Sequence, residues 1–237
     1  MSRNYYNTKG EIIHILHFPG SGLMKNEQHI MENIDRKFSI SDKVSIISVM
    51  NKACYETSML REQCDNNRVP IINTAYDVEE WTNTVKIPKI LEALKQVSTQ
   101  YCLILDGRDV LVSNDLDDEF IDKYKSFNIP IIYNATYVRH PKTCVETLQD
   151  IIHIQSKHKY LNAGVCVGET EALRDFYTKV FEISKQYPDN DSEQLIVRIA
   201  RKKYPELADY DYNNRLFAAV HYCENVFTET DNGWIFH

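Results

Sequence analysis

The chain has 237 residues, 43% apolar and 26% charged, so it can bury a sizeable core and is not a disordered or low-complexity protein. Its formal net charge of −7 argues against wholesale binding to nucleic acid. The polar start, Met1-Ser2-Arg3-Asn4-Tyr5-Tyr6-Asn7, does not read as a signal peptide, and no apolar stretch is long enough to span a bilayer.

Residues 11–16 (Glu-Ile-Ile-His-Ile-Leu) read as a first strand running into a turn, His17-Phe18-Pro19-Gly20-Ser21-Gly22. A helix with Ile30, Met31 and Ile34 on one face is expected next, then a strand over 44–50, a helix over 55–66 and a short strand over 69–73. Pro88 suits the first position of a helix whose Ile90, Leu91, Leu94 and Val97 face the core. Residues 101–105 form an apolar strand, and the acids of 115–118 open a further helix. A short strand at 131–133 precedes a long irregular stretch, 134–160. Residues 162–168 are a strand, and Thr170 caps a helix carrying Leu173, Phe176, Tyr177, Val180 and Phe181. Asp191 reads as the N-cap of a helix with Leu195, Ile196 and Ile199, and strands are expected at 216–220 and 234–236. Strands alternating with helices predict an α/β protein with a parallel, doubly wound sheet, whose ligands bind at the carboxyl ends of strands. With no linker or repeat in the sequence, one domain over 1–237 is expected. Six cysteines without CxxC spacing read as thiols in a reducing compartment, so a cytoplasmic location is expected.

The strand 101–105 ends in a charged clasp, Asp106-Gly107-Arg108-Asp109, before the chain turns apolar again at Val110-Leu111-Val112. Carboxylates in so apolar a setting are costly to bury unless neutralised. A divalent metal does this, and hard oxygen ligands at a strand end suit Mg²⁺ or Mn²⁺ and, through the metal, a diphosphate. The alternative is a β-turn in which Asp and Gly serve geometry and Arg108 pairs with an Asp. The glycine turn at 20–22 is no P-loop, since Lys25 stands where the second Gly is required; a loop lining a nucleotide pocket stays open. Two basic groups, one within 139–159 and one formed by Arg198, Arg201, Lys202 and Lys203, read as solvated faces.

Several motifs, in order, resemble a known family. Leu105-Asp106-Gly107-Arg108-Asp109-Val110-Leu111-Val112 is similar to the metal-binding D-x-x-D of the glycosyltransferase domain of procollagen lysyl hydroxylases. Lys86 stands before the helix that leads into this strand. Lys159-Tyr160-Leu161-Asn162-Ala163-Gly164-Val165-Cys166-Val167-Gly168 resembles the family's K-[FY]-L-N-[SA]-G-x-x-x-G, and Asp189 to Leu195 its acidic run ending D-D-Q-L. Asp211 to Phe217 resembles its D-x-x-x-R-[IL]-F segment. The resemblance covers roughly residues 80–237. It implies a single GT-A (Rossmann-like) domain with a mostly parallel central sheet, Mn²⁺ or Mg²⁺ as cofactor and a UDP-sugar as donor.

It also implies roles. Asp106 and Asp109 would ligate the metal with His237, which follows Trp234-Ile235-Phe236 as the family's late His follows its strand. The Gly and basic residues that come after that His in the family have no counterpart in the sequence. Lys86 would add a second positive charge at the diphosphate, and Asn162 would hydrogen-bond the donor sugar. Asp191 and Glu193 would orient the acceptor hydroxyl, take its proton, or stabilise charge at the anomeric carbon; as plain structure they would cap a helix and complement its dipole. The 134–160 stretch is long enough to face an acceptor, while His14, His17, His29 and His221 read as packing or surface residues. The expected activity is transfer of a hexose from a UDP-sugar to a hydroxyl acceptor: protein, glycan, lipid or modified nucleobase. Two alternatives stay open, a nucleotidyltransferase releasing pyrophosphate and a non-catalytic sugar-nucleotide-binding protein.

Overall fold

The computed structural model describes residues 4–20, 37–220, 227–230 and 233–236. The expected helix carrying Ile30, Met31 and Ile34 lies outside these residues, as do His29, His221, Cys223 and His237. In chain order the strands are β1 (Asn4–Tyr6), β2 (Ile15–His17), β3 (Val44–Ile47), β4 (Ile71–Ile72), β5 (Tyr101–Leu105), β6 (Val110–Val112), β7 (Ile131–Thr136), β8 (Tyr160–Glu169), β9 (Ala208–Asp211), β10 (Phe217–Ala219), β11 (Phe227–Thr230) and β12 (Gly233–Phe236). The helices are α1 (Lys52–Thr57), α2 (Met59–Asn66), α3 (Lys86–Leu94), α4 (Asp118–Lys125), α5 (Leu148–Ile151), α6 (Thr170–Ser184) and α7 (Glu193–Lys203), with a 3₁₀ turn over Asn83–Val85.

The fold is mixed α/β around a six-stranded sheet of order β4-β3-β5-β8-β7-β9. Five strands run one way and β8 alone is reversed, so the sheet is mostly parallel, as expected. Both faces are covered, which is why β5 reads as a continuous apolar run rather than an alternating one. Cys102 and Ile104 pack with the buried sides of α3, α6 and α7 (Ile90, Leu94, Phe176, Val180, Ile196). Tyr101, Leu103 and Leu105 pack the other way, with Leu60 and Cys64 of α2 and Phe120, Ile121 and Tyr124 of α4. Two three-stranded sheets flank this core, β10-β2-β6 and β1-β12-β11.

Element boundaries move where side chains found better partners. The strand expected over 11–16 is β2, confined to Ile15–His17 and preceded by β1; Ile13 N instead donates to Tyr5 O. The α7 helix is capped by Ser192, whose Oγ accepts from Leu195 N, and not by Asp191. Pro88 lies in the first turn of α3, which opens at Lys86. Glu169 precedes α6 without a side-chain cap, and Thr170 instead donates its hydroxyl to Thr99 O. The 134–160 stretch is less irregular than expected: β7 runs on to Thr136, and α5 is opened by a Thr147–Asp150 capping box. The basic group on α7 is a solvated face only in part, at Lys202 and Lys203. Arg198 is fully buried against Glu146, while Arg201 pairs with Asp209 and Lys202 with Asp150. Among the described residues no helix is long and apolar enough to cross a membrane.

Candidate active site

The site begins where β5 ends. Asp106 N donates to Gly164 O at 2.7 Å, Ser48 Oγ to Leu105 O at 2.8 Å, Ser58 Oγ to Gly107 O, and Phe18 N to Asp109 O at 2.8 Å. The clasp backbone is therefore tied to four separate segments, and its two carboxylates project from a fixed turn. A Cβ on Gly107 would lie 2.0 Å from Met50 Sδ, so any larger residue there would require the Met50 side chain to move.

The antiparallel pairing of β2 with β6 sets His17 opposite Val110, the neighbour of Asp109. His17 Nε2 lies 3.6 Å from Asp109 Oδ1. Asp106, Asp109 and His17 each offer a ligand atom, all within 4.8 Å of one another. One ion with bonds of about 2.1 Å holds its ligand atoms roughly 3.0–4.2 Å apart, so the three groups would draw in slightly to share it. Gly164 of β8 makes the room: a Cβ on it would lie 2.4 Å from His17 Cε1 and 2.7 Å from Asp106 Oδ2. The residue expected among packing or surface histidines is thus the one that meets the carboxylate pair. His14 does serve packing, edge-on to Phe120 at 5.2 Å. The expected third ligand, His237, lies outside the described residues.

The opposite side of Asp106 meets Lys86, the first residue of α3, with Nζ 2.5 Å from Oδ1. Lys86 Nζ is also 3.6 Å from Oε2 of Glu193, the first residue of α7, which is only 6% exposed. Lys86 is thus no solvated lysine. Burial alone would lower its pKa, but the carboxylates of Asp106, Glu193 and Asp109 outweigh burial and hold it above the ordinary lysine value. Burial raises the Glu193 carboxyl to about 7; Lys86 draws it down and Asp106 pushes it up. Three carboxylates face one lysine, an excess of negative charge that a divalent cation would offset. Arg108, the expected partner in a plain β-turn, is exposed instead.

The other expected residues are nearby in different roles. Asn162 Oδ1 accepts from Gly164 N at 2.8 Å and so shapes the β8 backbone beside Asp106. Asp191 is exposed; its Oδ1 accepts from Asn83 N at 2.8 Å, tying the 3₁₀ turn before Lys86 to the start of α7. Sequence reasoning missed Gln194, which joins Ala163 N to His140 O, and Asn134, whose buried amide faces His17. His17 had one legible signal, its place at the carboxyl end of a strand, as Asp106 has.

Two cavities open on either side of the charged cluster. One, of about 460 Å³, is lined by polar groups that include Thr136, His140, Asn162, Asp191 and Gln194, together with Pro19 and Gly20 of the glycine turn. The other, of about 530 Å³, is lined by Val49, Asn51, Cys54, Trp81 and Arg108 among others. Asn83, Lys86, Asp106 and Asp109 line both.

No protein-family model matches the chain, and no curated protein matches it significantly. Solved structures with similarity include a glycosyltransferase involved in the glycosylation of the major capsid of PBCV-1, 16% identical, matched over 71% of this chain and 81% of that one with a TM-score of 0.42. A second is the 4-diphosphocytidyl-2C-methyl-D-erythritol synthase of Anaerococcus prevotii, 11% identical, matched over 90% and 89% of the two chains with a TM-score of 0.35.

Proposed function

We propose that the chain is a metal-dependent glycosyltransferase that moves a hexose from a UDP-sugar to a hydroxyl acceptor. The observation that carries this reading is the sharing of Lys86, Asp106 and Asp109 by two cavities. A sugar nucleotide has the matching build: two dissimilar ends joined by a diphosphate. The cavity with Val49, Cys54 and Trp81 suits a nucleoside, and Arg108 adds a cation beside it. The cavity with Asn162, Gln194 and Thr136 supplies amide and hydroxyl groups suited to a sugar. The GT-A reading of the fold and the single domain over 1–237 belong to the same proposal, supported by the motif order in residues 80–237 and by the strand-end position of the clasp.

Asp106, Asp109 and His17 are the residues that would hold the metal. A bound divalent ion supplies Lewis acidity that neutralises charge on the leaving diphosphate. A ring nitrogen beside two carboxylates favours Mn²⁺ over Mg²⁺. Lys86, which lines both cavities, would donate a charged hydrogen bond to the diphosphate. Asn162, whose Oδ1 is taken by Gly164 N–H, offers its amide N–H groups to the donor sugar. Glu193, buried beside Lys86 with a carboxyl near neutrality, is placed to take the acceptor's proton or to face charge at the anomeric carbon. Asp191 anchors the turn that presents Lys86. A reducing, cytoplasmic setting is part of the proposal and is supported by the free thiols Cys54, Cys64, Cys102, Cys144 and Cys166.

The test is a donor screen that follows UDP release from UDP-sugars with and without Mn²⁺. Metal-dependent UDP release, by transfer or by donor hydrolysis, is the expected result. Pyrophosphate release from a nucleoside triphosphate and a sugar phosphate would make the chain a nucleotidyltransferase. Binding of UDP and Mn²⁺ with no turnover of any donor would make it a binding protein.

A further inference from the structure

We infer that Asn134 is a positioning residue: its carboxamide accepts the Nδ1–H of His17 and so turns the Nε2 lone pair toward Asp106 and Asp109. The inference rests on reading those three residues as metal ligands. His17 is 2% exposed, and its ring passes over Gly164, where the absent Cβ leaves just enough space. Its Nε2 faces the carboxylates, so Nδ1 is the nitrogen left to a supporting partner. That partner is Asn134, fully buried, with its Nδ2 3.3 Å from Nδ1.

Asn134 reaches this place through an irregularity in the sheet. The β7–β8 register shifts between Tyr133, opposite Cys166, and Asn134, opposite Asn162. The shift leaves Ala163, Gly164 and Val165 without a partner on β7, while on the other edge of β8 Gly164 O accepts from Asp106 N, extending the β5–β8 ladder. The bulge places the amide beside His17, as bulges next to active sites commonly re-aim side chains, while the regular β5–β8 register sets Gly164 beside Asp106.

The two ends of a carboxamide have nearly the same shape, so a half-turn exchanges them without repacking. With Nδ2 toward His17, the ring proton must sit on Nε2, aimed at Asp109, and a metal cannot use that nitrogen. In this orientation Asn134 Oδ1 is buried without a hydrogen-bond partner, an arrangement that is costly because the oxygen has given up its water. With Oδ1 toward His17, the oxygen gains Nδ1–H and Nε2 presents its lone pair to the site. Amide orientation and ring tautomer therefore change together, and an amide serves both arrangements. Ligating histidines regularly have their second nitrogen held in this way, which fixes the tautomer and the ring plane.

The test is a double-mutant cycle of Mn²⁺ affinities, measured by calorimetry on the full chain. The proteins are wild type, Asn134→Leu, His17→Phe and the double variant. Leucine keeps the branched shape of asparagine, though it is larger, and cannot accept a hydrogen bond. Asn134→Leu should lose about ten- to hundredfold in affinity, His17→Phe a similar factor, and the double variant no more than His17→Phe alone. Asn134→Asp, whose carboxylate only accepts, should bind Mn²⁺ at least as tightly as wild type when His17 is present and give no such benefit in the His17→Phe background. Weakened binding in His17→Phe with unchanged binding in Asn134→Leu overturns the role of Asn134 and leaves the three-ligand reading intact. Unchanged binding in His17→Phe overturns that reading itself. A full further loss on adding Asn134→Leu to His17→Phe would assign the effect to loosened packing and overturn the inference. Should Asn134→Leu fail to fold, Asn134→Asp decides alone: a loss of about tenfold with His17 present overturns it.

Discussion

Helix α7 takes part in two buried ionic clusters, one at each end of its first turn and a half, and they are built oppositely. Arg198 is fully buried and makes five hydrogen bonds: two to the Glu146 carboxylate and three to the carbonyls of His140, Pro141 and Thr143. Burial alone would raise the Glu146 carboxyl; the guanidinium outweighs it and holds the pKa below the ordinary value. One cation meets one anion, and the donors are used. At Glu193 the same helix joins three carboxylates to one lysine, and burial leaves the acid near neutrality. A balanced, satisfied cluster fixes structure, here the loop that carries His140 to the cavity wall. An unbalanced one beside two cavities is poised to receive charge, and perturbed acids cluster at functional sites for this reason.

The largest effects should separate the two clusters completely. Asp109→Asn should abolish the rise in melting temperature that Mn²⁺ with UDP gives the wild type by mass action, and lower turnover by a factor on the order of a thousand. Its metal-free stability should not fall, because one of the excess negative charges is gone. An unchanged metal-dependent shift would sink the assignment. Arg198→Met should do the reverse: about 3–5 kcal/mol less stability in chemical denaturation, since Glu146 is left buried and unpaired, with Mn²⁺ affinity preserved. Adding Glu146→Leu should recover much of that loss. If Arg198→Met kept wild-type stability, or lost the metal, the division between structural and functional clusters would not hold.

This division was only half legible in the sequence. Asp106 and Asp109 stood out because charges interrupt an apolar run, and the run itself was readable because β5 is covered on both faces. Lys86 and Glu193 came from motif order, and their contact with one another depends on two helix starts meeting across the sheet end. His17 was hidden because its neighbour, Asp109, arrives by the pairing of β2 with β6, which no local pattern announces. Arg198 was misread as solvated because the run Arg201-Lys202-Lys203 beside it looks like a surface, while its partner Glu146 is 52 residues away in a loop. Asp191 lost its expected capping role to Ser192 because Asn83 N drew its carboxylate elsewhere.

Glu193→Gln gives a smaller, chemically more specific effect. The amide keeps the side chain's size, so UDP and metal affinity should stay nearly constant while turnover falls by roughly a hundredfold. The variant also tests the charge excess without any substrate. A carboxyl raised in the fold from an ordinary 4.5 to about 7 favours the folded state most while it is protonated in both states. That contribution is full below the unfolded pKa and is lost as pH rises through 7. The metal-free wild type should therefore lose up to about 3 kcal/mol, relative to Glu193→Gln, between pH 4.5 and 8 in urea denaturation. Parallel stability curves for the two proteins would mean that Glu193 is balanced as Glu146 is, and the contrast between the clusters would fail.

The smallest effect is expected at Asp191, which lines the same cavity yet belongs to neither cluster. Its carboxylate is exposed and is used as an acceptor for Asn83 N, at the turn that leads into Lys86. An exposed anchor of this kind contributes geometry rather than charge. Asp191→Asn retains a side-chain oxygen at the same reach, so turnover should stay within about threefold of wild type, and stability within about 0.5 kcal/mol. Asp191→Ala removes the acceptor and frees the 3₁₀ turn, so the donor KM should rise several-fold while kcat falls less. The order Asn, then Ala, in increasing damage marks a hydrogen-bond anchor. A loss in Asp191→Asn as large as in Glu193→Gln would instead require the charge itself, and would move the reacting centre from Glu193 to the outer rim of the cavity.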